Sequence, residues 1–364
     1  MSLKLTKRID AFKKLGRILK QIDNIASIKD VKKEIISAYN SLNDEIQNCQ
    51  NYNQWFTKQN VKQAISAISE MLLDDNLANW ISAYNIPNKL LKPKIIAVVM
   101  AGNIPLVGFH DFLCVLISGN KFIGKLSSDD KKLLPALSEL LIAIEPHFAE
   151  NIKFTEDTLK NFDAVIATGS NNTARYFEYY FGKYPNIIRK NRNGVAVLSG
   201  DETPEELKAL GEDVFMYFGL GCRNISKLFV PENYSFNIFF ESIEEFNQII
   251  DHHKYNNNYD YYKSIFLVNS EKHLDNGFLL LTENEAFASP VSVIYYEYYK
   301  NQKELSKHLE ANNEKIQCVV SNPSKNFKQI PFGKSQYPGL LDYADGIDTL
   351  EFLKEIGFQI SLSY

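Results

Sequence analysis

Two short, wholly apolar runs, each closed by a glycine-bearing turn, narrow the folds open to this chain more than any other feature of it. Ile95 to Met100 reads Ile-Ile-Ala-Val-Val-Met and stops at Ala101-Gly102-Asn103, with Pro105 just beyond; Ala164 to Ala167 reads Ala-Val-Ile-Ala and stops at Thr168-Gly169-Ser170. A half-exposed strand alternates apolar and polar residues, whereas a run with no alternation belongs to a strand covered on both faces. The residues between them supply the covers. A helical stretch is expected from Pro105 to about Ile117, then a Ser-Gly-Asn turn and a short strand from Lys121 to Leu126. Helices over Lys131 to Ile144 and Thr173 to Phe181, and a third strand core at Gly194 to Leu198, continue the alternation. Strands and helices at this pitch predict a doubly wound parallel sheet.

The flanks read differently. From the start to about Leu91 the pattern is helical, with Leu5, Ile9, Phe12, Leu15 and Leu19 at three- and four-residue steps and similar spacing through Val31, Ile35 and Ile36. Among the first twenty residues Lys4, Lys7, Arg8, Lys13, Lys14, Arg17 and Lys20 are basic and Asp10 alone is acidic. Such a helix can lie on a membrane surface; the expectation adopted is that it docks its apolar stripe on its own protein. Beyond residue 200, Thr203-Pro204-Glu205-Glu206 signals a capped helix start, and short strands are expected at Lys227 to Val230, Ser264 to Val268 and Val291 to Tyr296. The tail carries Pro331-Phe332-Gly333, a helix from Thr349 to Ile356 and a terminal strand from Phe358 to Leu362. The expected divisions are a helical region 1–90, a doubly wound α/β domain 91–200, a second α/β domain 201–325 and a segment 326–364 that returns to the body or to an oligomer interface.

Composition enters as exclusion. Forty basic against 44 acidic side chains give a formal charge of −4, so no global positive field gathers nucleic acid or anionic lipid. No apolar run reaches the roughly 18 residues that span a bilayer, and the basic start lacks a signal-peptide core, so no stable membrane insertion and a cytoplasmic location are expected. Cys49, Cys114, Cys222 and Cys318 lie far apart and read as thiols of a reducing compartment. The histidines show no ligand spacing: His252 and His253 are adjacent, and His110 with Cys114 makes only a pair. No metal is expected.

Chemistry concentrates in few places. Cys222 sits in Phe218-Gly-Leu-Gly-Cys-Arg-Asn224, where Gly221 lets a substrate approach the backbone and Arg223 favours the thiolate; against this stands a buried, inert thiol. Thr168-Gly169-Ser170 lies between strand and helix, where backbone N–H groups can hold a phosphate, or is simply a turn. Asn103 is either a helix cap or an amide donor to an oxyanion. His110 either contacts a substrate or sits on a helix surface.

In chain order these fragments resemble the aldehyde dehydrogenase superfamily, and within it the acyl-CoA reductase family that includes the fatty acid reductase of bacterial luminescence. The resemblance rests on Ile95 to Pro105, on Ser118 to Lys125, on Ile166 to Ser170, on Gly221-Cys222 followed by Ser226 to Val230, and on Glu285-Ala-Phe-Ala-Ser-Pro290. It implies an aldehyde dehydrogenase-like α/β fold, with a doubly wound cofactor domain, a second α/β catalytic domain and a helical N-terminal region. It further implies Cys222 as nucleophile and Asn103 with the Cys222 N–H as oxyanion donors. Lys125 would lie at the cofactor ribose, Thr168, Gly169 and Ser170 at the diphosphate, and Glu285 with Phe287 at the nicotinamide end.

Two departures refine this. Members that hydrolyse their acyl-enzyme carry a glutamate base where this chain has Ile188-Arg-Lys-Asn-Arg192, which fits thioester reduction, not aldehyde oxidation. Members that prefer NAD carry an acid where this chain has Ser128, which favours NADPH while leaving NADH possible. The resemblance thus implies NADPH-dependent reduction of an acyl-CoA or acyl carrier protein thioester to an aldehyde, by a homo-oligomer. An oxidising aldehyde dehydrogenase and an inactive scaffold of the same fold are the alternatives. Lys183, Arg189, Lys190 and Arg192 either meet phosphates of cofactor or coenzyme A or form a solvated basic loop.

Overall fold

The computed structural model describes residues 2–23, 32–322 and 329–358. Val31 and the strand expected after Phe358 lie outside the described residues. The chain divides into two compact units, Met1–Lys190 with Pro338–Tyr364, and Asn191–Tyr337. The divisions therefore fall at 190/191 and 337/338 where 200 and 325 were expected.

The first unit opens with α1 (Leu5–Leu19), α2 (Lys33–Asn48), α3 (Lys58–Met71) and α4 (Asp74–Ser82). On α1 the predicted stripe is buried at Phe12, Leu15 and Leu19 and half-buried at Leu5 and Ile9, while Lys7, Lys14, Arg17 and Lys20 face outward, so the helix docks on its own unit. Gly16 lets it approach closely, since a Cβ there would stand 2.7 Å from Leu72 Cβ. Arg8 departs from the basic face. Its guanidinium is buried and donates to the carbonyls of Ile117, Pro87 and Asn88, and burial lowers its pKa to about 10.

Next come β1 (Ile95–Val99), α5 (Phe109–Ser118), β2 (Lys121–Lys125), α6 (Leu133–Ile144), β3 (Ile152–Thr155), β4 (Ala164–Thr168), α7 (Asn171–Phe181) and β5 (Asn186–Arg189). The strands form one parallel sheet in the order β3-β2-β1-β4-β5, with the two apolar runs adjacent at its centre. Centrality explains their composition, because both faces of β1 and β4 are covered. Gly119 ends α5 in the left-handed region at φ 91°, which permits the tight return into β2.

The second unit contains β6 (Asn193–Val197), α8 (Pro204–Phe215), β7 (Ile225–Pro231), α9 (Asn237–Ser242), α10 (His253–Val268), β8 (His273–Asp275), β9 (Leu280–Glu283), β10 (Val293–Tyr299), α11 (Gln302–Ala311) and β11 (Ile316–Val320). Its sheet runs β11-β6-β7-β10-β9-β8, parallel apart from β8. Two expectations are corrected here. The strand core at Gly194 to Leu198 belongs to this sheet, paired with β7 and β11, and not to the first. Ser264 to Val268 is the last turn of α10, where Tyr255, Tyr259 and Phe266 are buried at helical spacing and Val268 is 83% exposed. The short apolar run hid the longer period. The predicted cap of α8 is a full capping box between Thr203 and Glu206. Finally α12 (Thr349–Phe358) packs on α5 of the first unit.

Candidate active site

The first unit gathers its candidate residues by register. Val99 at the end of β1 pairs with Lys125 of β2 on one side, Ala167 of β4 lies on the other, and Thr168 pairs with Arg189. The Asn103 loop, Lys125 and Thr168-Gly169-Ser170 therefore leave the same carboxyl edge. Neighbouring β1 and β4 lead to opposite halves of the sheet, which is the switch point where open α/β sheets bind ligands.

Ser170 is the N-cap of α7, its Oγ accepting from Thr173 N at 3.1 Å. Gly169 keeps the turn against the helix, for a Cβ there would lie 2.9 Å from Phe177 and 3.1 Å from Thr173. The half-buried Lys125 donates from Nζ to the Asp157 carbonyl at 3.1 Å. Beside it a cleft of about 490 Å³ is lined by Ile123, Lys153, Thr155 and Lys160. Lys125, a capped helix start and a glycine turn on one sheet edge are donors that the diphosphate of a dinucleotide requires, with Asp157 the one acid of the cleft, so this edge fits an anionic dinucleotide.

Asn103 is exposed at a bend. It is not the cap of α5, which starts at Phe109 with Gly108 as its N-cap. Leu106 in the same loop adopts φ 56°. The loop is tied by buried Asp130, which accepts from Leu106 N and Leu133 N, each at 3.2 Å. Burial raises the Asp130 pKa to about 6, with those N–H groups pulling the other way. Ser128 lies exposed in the turn just before it.

Two expectations of this unit are overturned. Arg189 is no phosphate ligand: it is buried in a bidentate pair with Asp111, at 2.6 and 2.9 Å, and donates to Thr349 Oγ1 at 2.8 Å. Lys183 and Lys190 are exposed, as a solvated loop would have them, Lys190 pairing with Glu178 and Lys183 lying over the Tyr184 ring, while in the second unit Arg192 donates to the carbonyls of Asn313 and Ile316. His110 is half-buried, not on an open helix surface. Its ring packs between Trp80 and Tyr343, with Nε2 3.1 Å from the Leu340 carbonyl, inside the unit.

The second unit presents the thiol. After α8 the chain reverses through Tyr217, Phe218 and Gly219, all in the left-handed region at φ 53°, 58° and 77°. Gly221 to Asn224 then forms a tight turn closed by Asn224 N donating to Gly221 O at 3.0 Å. Cys222 and Arg223 are its central residues, and Cys222 is exposed whereas the other three cysteines are buried. Burial pushes the Cys49 and Cys114 thiols up in pKa. Accessibility thus selects Cys222 as the nucleophile candidate.

Beyond the turn, β7 fixes the Glu285 segment through two neighbouring side chains. Ser226 Oγ donates to the Phe287 carbonyl at 2.7 Å, and the Lys227 ammonium, fully buried, donates to the Asn284 carbonyl and to Glu297 at 2.9 Å. Glu285 is exposed. Phe287 is not: its ring is buried against Phe229 and stacks on His308, so it anchors the segment from the core instead of offering a face to a ligand. Sequence reading missed Asn224, Ser226, Lys227, Asp111 and Asp130. A lysine opening the apolar run Lys227 to Val230 was the one legible signal, since a charge on a buried strand requires partners. Among the described residues no group of His, Cys, Asp and Glu is placed to hold a metal ion, and no helix is long and apolar enough to cross a membrane.

A family model described as acyl-CoA reductase (LuxC) matches residues 13–235. Among curated proteins no relative is found. Solved structures with the same fold include aldehyde dehydrogenase 21 from Physcomitrella patens, in complex with the reaction product succinate, at 14% identity and a TM-score of 0.61, covering 96% of this chain and 87% of that one. An indole-3-acetaldehyde dehydrogenase complexed with NAD+ aligns at 12% identity and a TM-score of 0.60, over 89% of this chain and 78% of its own. An NADP-dependent enzyme of E. coli aligns at 12% identity and a TM-score of 0.57, over 92% and 89%. These likenesses establish the aldehyde dehydrogenase-like α/β fold.

Proposed function

Because the chain belongs to the acyl-CoA reductase (LuxC) family, whose chemistry is aldehyde-related oxidoreduction, we propose that it reduces a fatty acyl-CoA thioester to an aldehyde through an acyl group held on Cys222. The observation that carries this is the exposed thiol at the apex of the Gly221 to Asn224 turn. Glycine at 221 keeps the approach to the sulfur clear of a side chain. The Cys222 sulfur attacks the thioester carbonyl, its bond to the acyl carbon forms as the bond to coenzyme A breaks, and coenzyme A leaves as the thiol with the proton. The Asn103 side-chain amide and the Cys222 N–H are the proposed donors to the oxyanion, with Arg223 favouring the thiolate. NADPH, if bound there, would supply the hydride for the acyl carbon, and breaking the carbon–sulfur bond would then free the aldehyde and return Cys222 as the thiolate, which takes its proton from solvent.

Lys125, Thr168, Gly169 and Ser170 would hold the adenosine and diphosphate end, Ser128 would leave room for a 2′-phosphate, and Glu285 would meet the nicotinamide ribose. The structure supports reduction over hydrolysis in one respect. Where hydrolysing members place a glutamate base, Arg189 is locked to Asp111, and no carboxylate of that stretch is offered to a water. A cytoplasmic homo-oligomer that accepts coenzyme A or carrier-protein thioesters completes the proposal. Intact mass after mixing with a series of acyl-CoA species, then with NADPH, tests it. We expect a Cys222-dependent acyl adduct that disappears as aldehyde forms; an unchanged rate of aldehyde formation in Cys222→Ala would overturn the assignment.

A further inference from the structure

Granting Cys222 as the acyl carrier, we propose that Asn224 is a positioning residue for the acyl-transfer step, its carboxamide holding the turn so that thiol and backbone N–H of Cys222 act on one carbonyl together. The last carbonyls of a helix have no partner within it. Here those of Asp213 and Val214, and that of Met216 beyond them, accept from Asn224 Nδ2 at 3.0, 3.3 and 2.8 Å. The other half of the same carboxamide faces the turn, Oδ1 accepting from Gly221 N at 2.8 Å. Through its backbone Asn224 closes that turn and receives Gly194 N of β6 at 3.2 Å. One residue, 3% exposed, therefore joins the end of α8 to the cysteine turn through its side chain and reaches β6 through its backbone.

The left-handed residues before the turn sharpen the case. Tyr217 and Phe218 carry side chains in the left-handed region, which disfavours them, and such backbone persists only when its surroundings over-determine it. Asn224 is one such constraint and Asp213 another, for its carboxylate accepts from Gly333 N at 2.6 Å and Ser335 N at 2.8 Å and so fixes the same helix end from the other side. The role at 224 calls for an amide in particular. The side chain must donate to carbonyls and accept from Gly221 N at once, which aspartate, an acceptor only when ionised, and serine, too short, do not do.

The test separates a reactive thiol from an oriented one. Alkylation of Cys222 by iodoacetamide needs only an accessible thiol, whereas acylation by an acyl-CoA also needs the backbone N–H aligned to the developing oxyanion. Both rates are read by intact mass on wild type, Asn224→Ala and Asn224→Asp, with circular dichroism to check folding. We expect alkylation within about threefold of wild type, and acylation slowed about 100-fold in both variants, the penalty of small misplacement in a reacting geometry. Acylation at the wild-type rate in either folded variant, or acylation and alkylation falling in step, would overturn the proposal. So would loss of folding in both variants, which would make Asn224 a stability residue. A wild type that alkylates at Cys222 but never acylates there would sink the assigned function itself, a result distinct from any of these.

Discussion

At the scale of single residues, charges placed out of solvent govern local structure more than the exposed ones do. Arg189 and Asp111 show side-chain exposures of only 5% and 9%. Removing one partner of such a pair strands the other charge, which costs about 3–5 kcal/mol. Arg189→Met is therefore expected to destabilise the first unit by that order, and Asp111→Leu in the same chain to recover most of it; urea unfolding of both single variants and the double variant measures the coupling. Exposed pairs such as Lys190 with Glu178 are worth little by comparison. Lys227 follows the buried rule in the second unit, where burial depresses its pKa and the Glu297 carboxylate opposes that shift.

Among elements, loops are set by the groups that tie them, and Asp130 ties two: the Asn103 loop through Leu106 N and the start of α6 through Leu133 N. Its pKa in the fold is about 6 against an ordinary 3.8. The folded protein thus holds this proton more tightly than the unfolded chain does. The associated stability is full below about pH 4 and is lost as pH rises through about 6, by up to ~3 kcal/mol. Relative to Asp130→Asn, the wild type should gain stability as pH is lowered from 7 to 4; denaturant midpoints at a series of pH values check this, and a difference flat in pH would contradict it. The same comparison separates motifs that are local from those that are not. The capping box on α8 is written in four consecutive residues, while at the end of α10 the four apolar residues Ile265 to Val268 outweigh, on sequence alone, a period visible only over the full helix.

Over the whole molecule, the segment that begins at Pro338 returns to the first unit. In the first unit Trp80 Nε1 donates to the Tyr343 hydroxyl at 2.8 Å, Tyr343 donates to Tyr84 at 2.8 Å, and Tyr84 donates to Asp348 at 2.6 Å. This chain joins α4 and its following turn to the segment that leads into α12. Tyr343→Phe keeps the ring packing on His110 and removes the hydroxyl that both Trp80 and Tyr84 use, leaving a buried indole N–H unsatisfied. A loss of about 1–3 kcal/mol is expected, read as a lower thermal midpoint, with iodoacetamide alkylation of Cys222 unchanged.

The sequence by itself determined what depends on neighbours along the chain. The apolar runs of β1 and β4, the turns that close them, the Thr203 cap and the position of Cys222 just after Gly219 and Gly221 were all readable, because burial on both faces and helix starts each leave a mark within a few residues. Only the tertiary structure decided which sheet β6 joins, that Arg189 meets Asp111, that His110 faces Tyr343, that Asn224 holds the cysteine turn and that Lys227 holds the segment before Glu285. Partners so far apart in sequence are chosen by packing, and packing is a property of the folded whole; a residue's own identity and near neighbours carry no record of it.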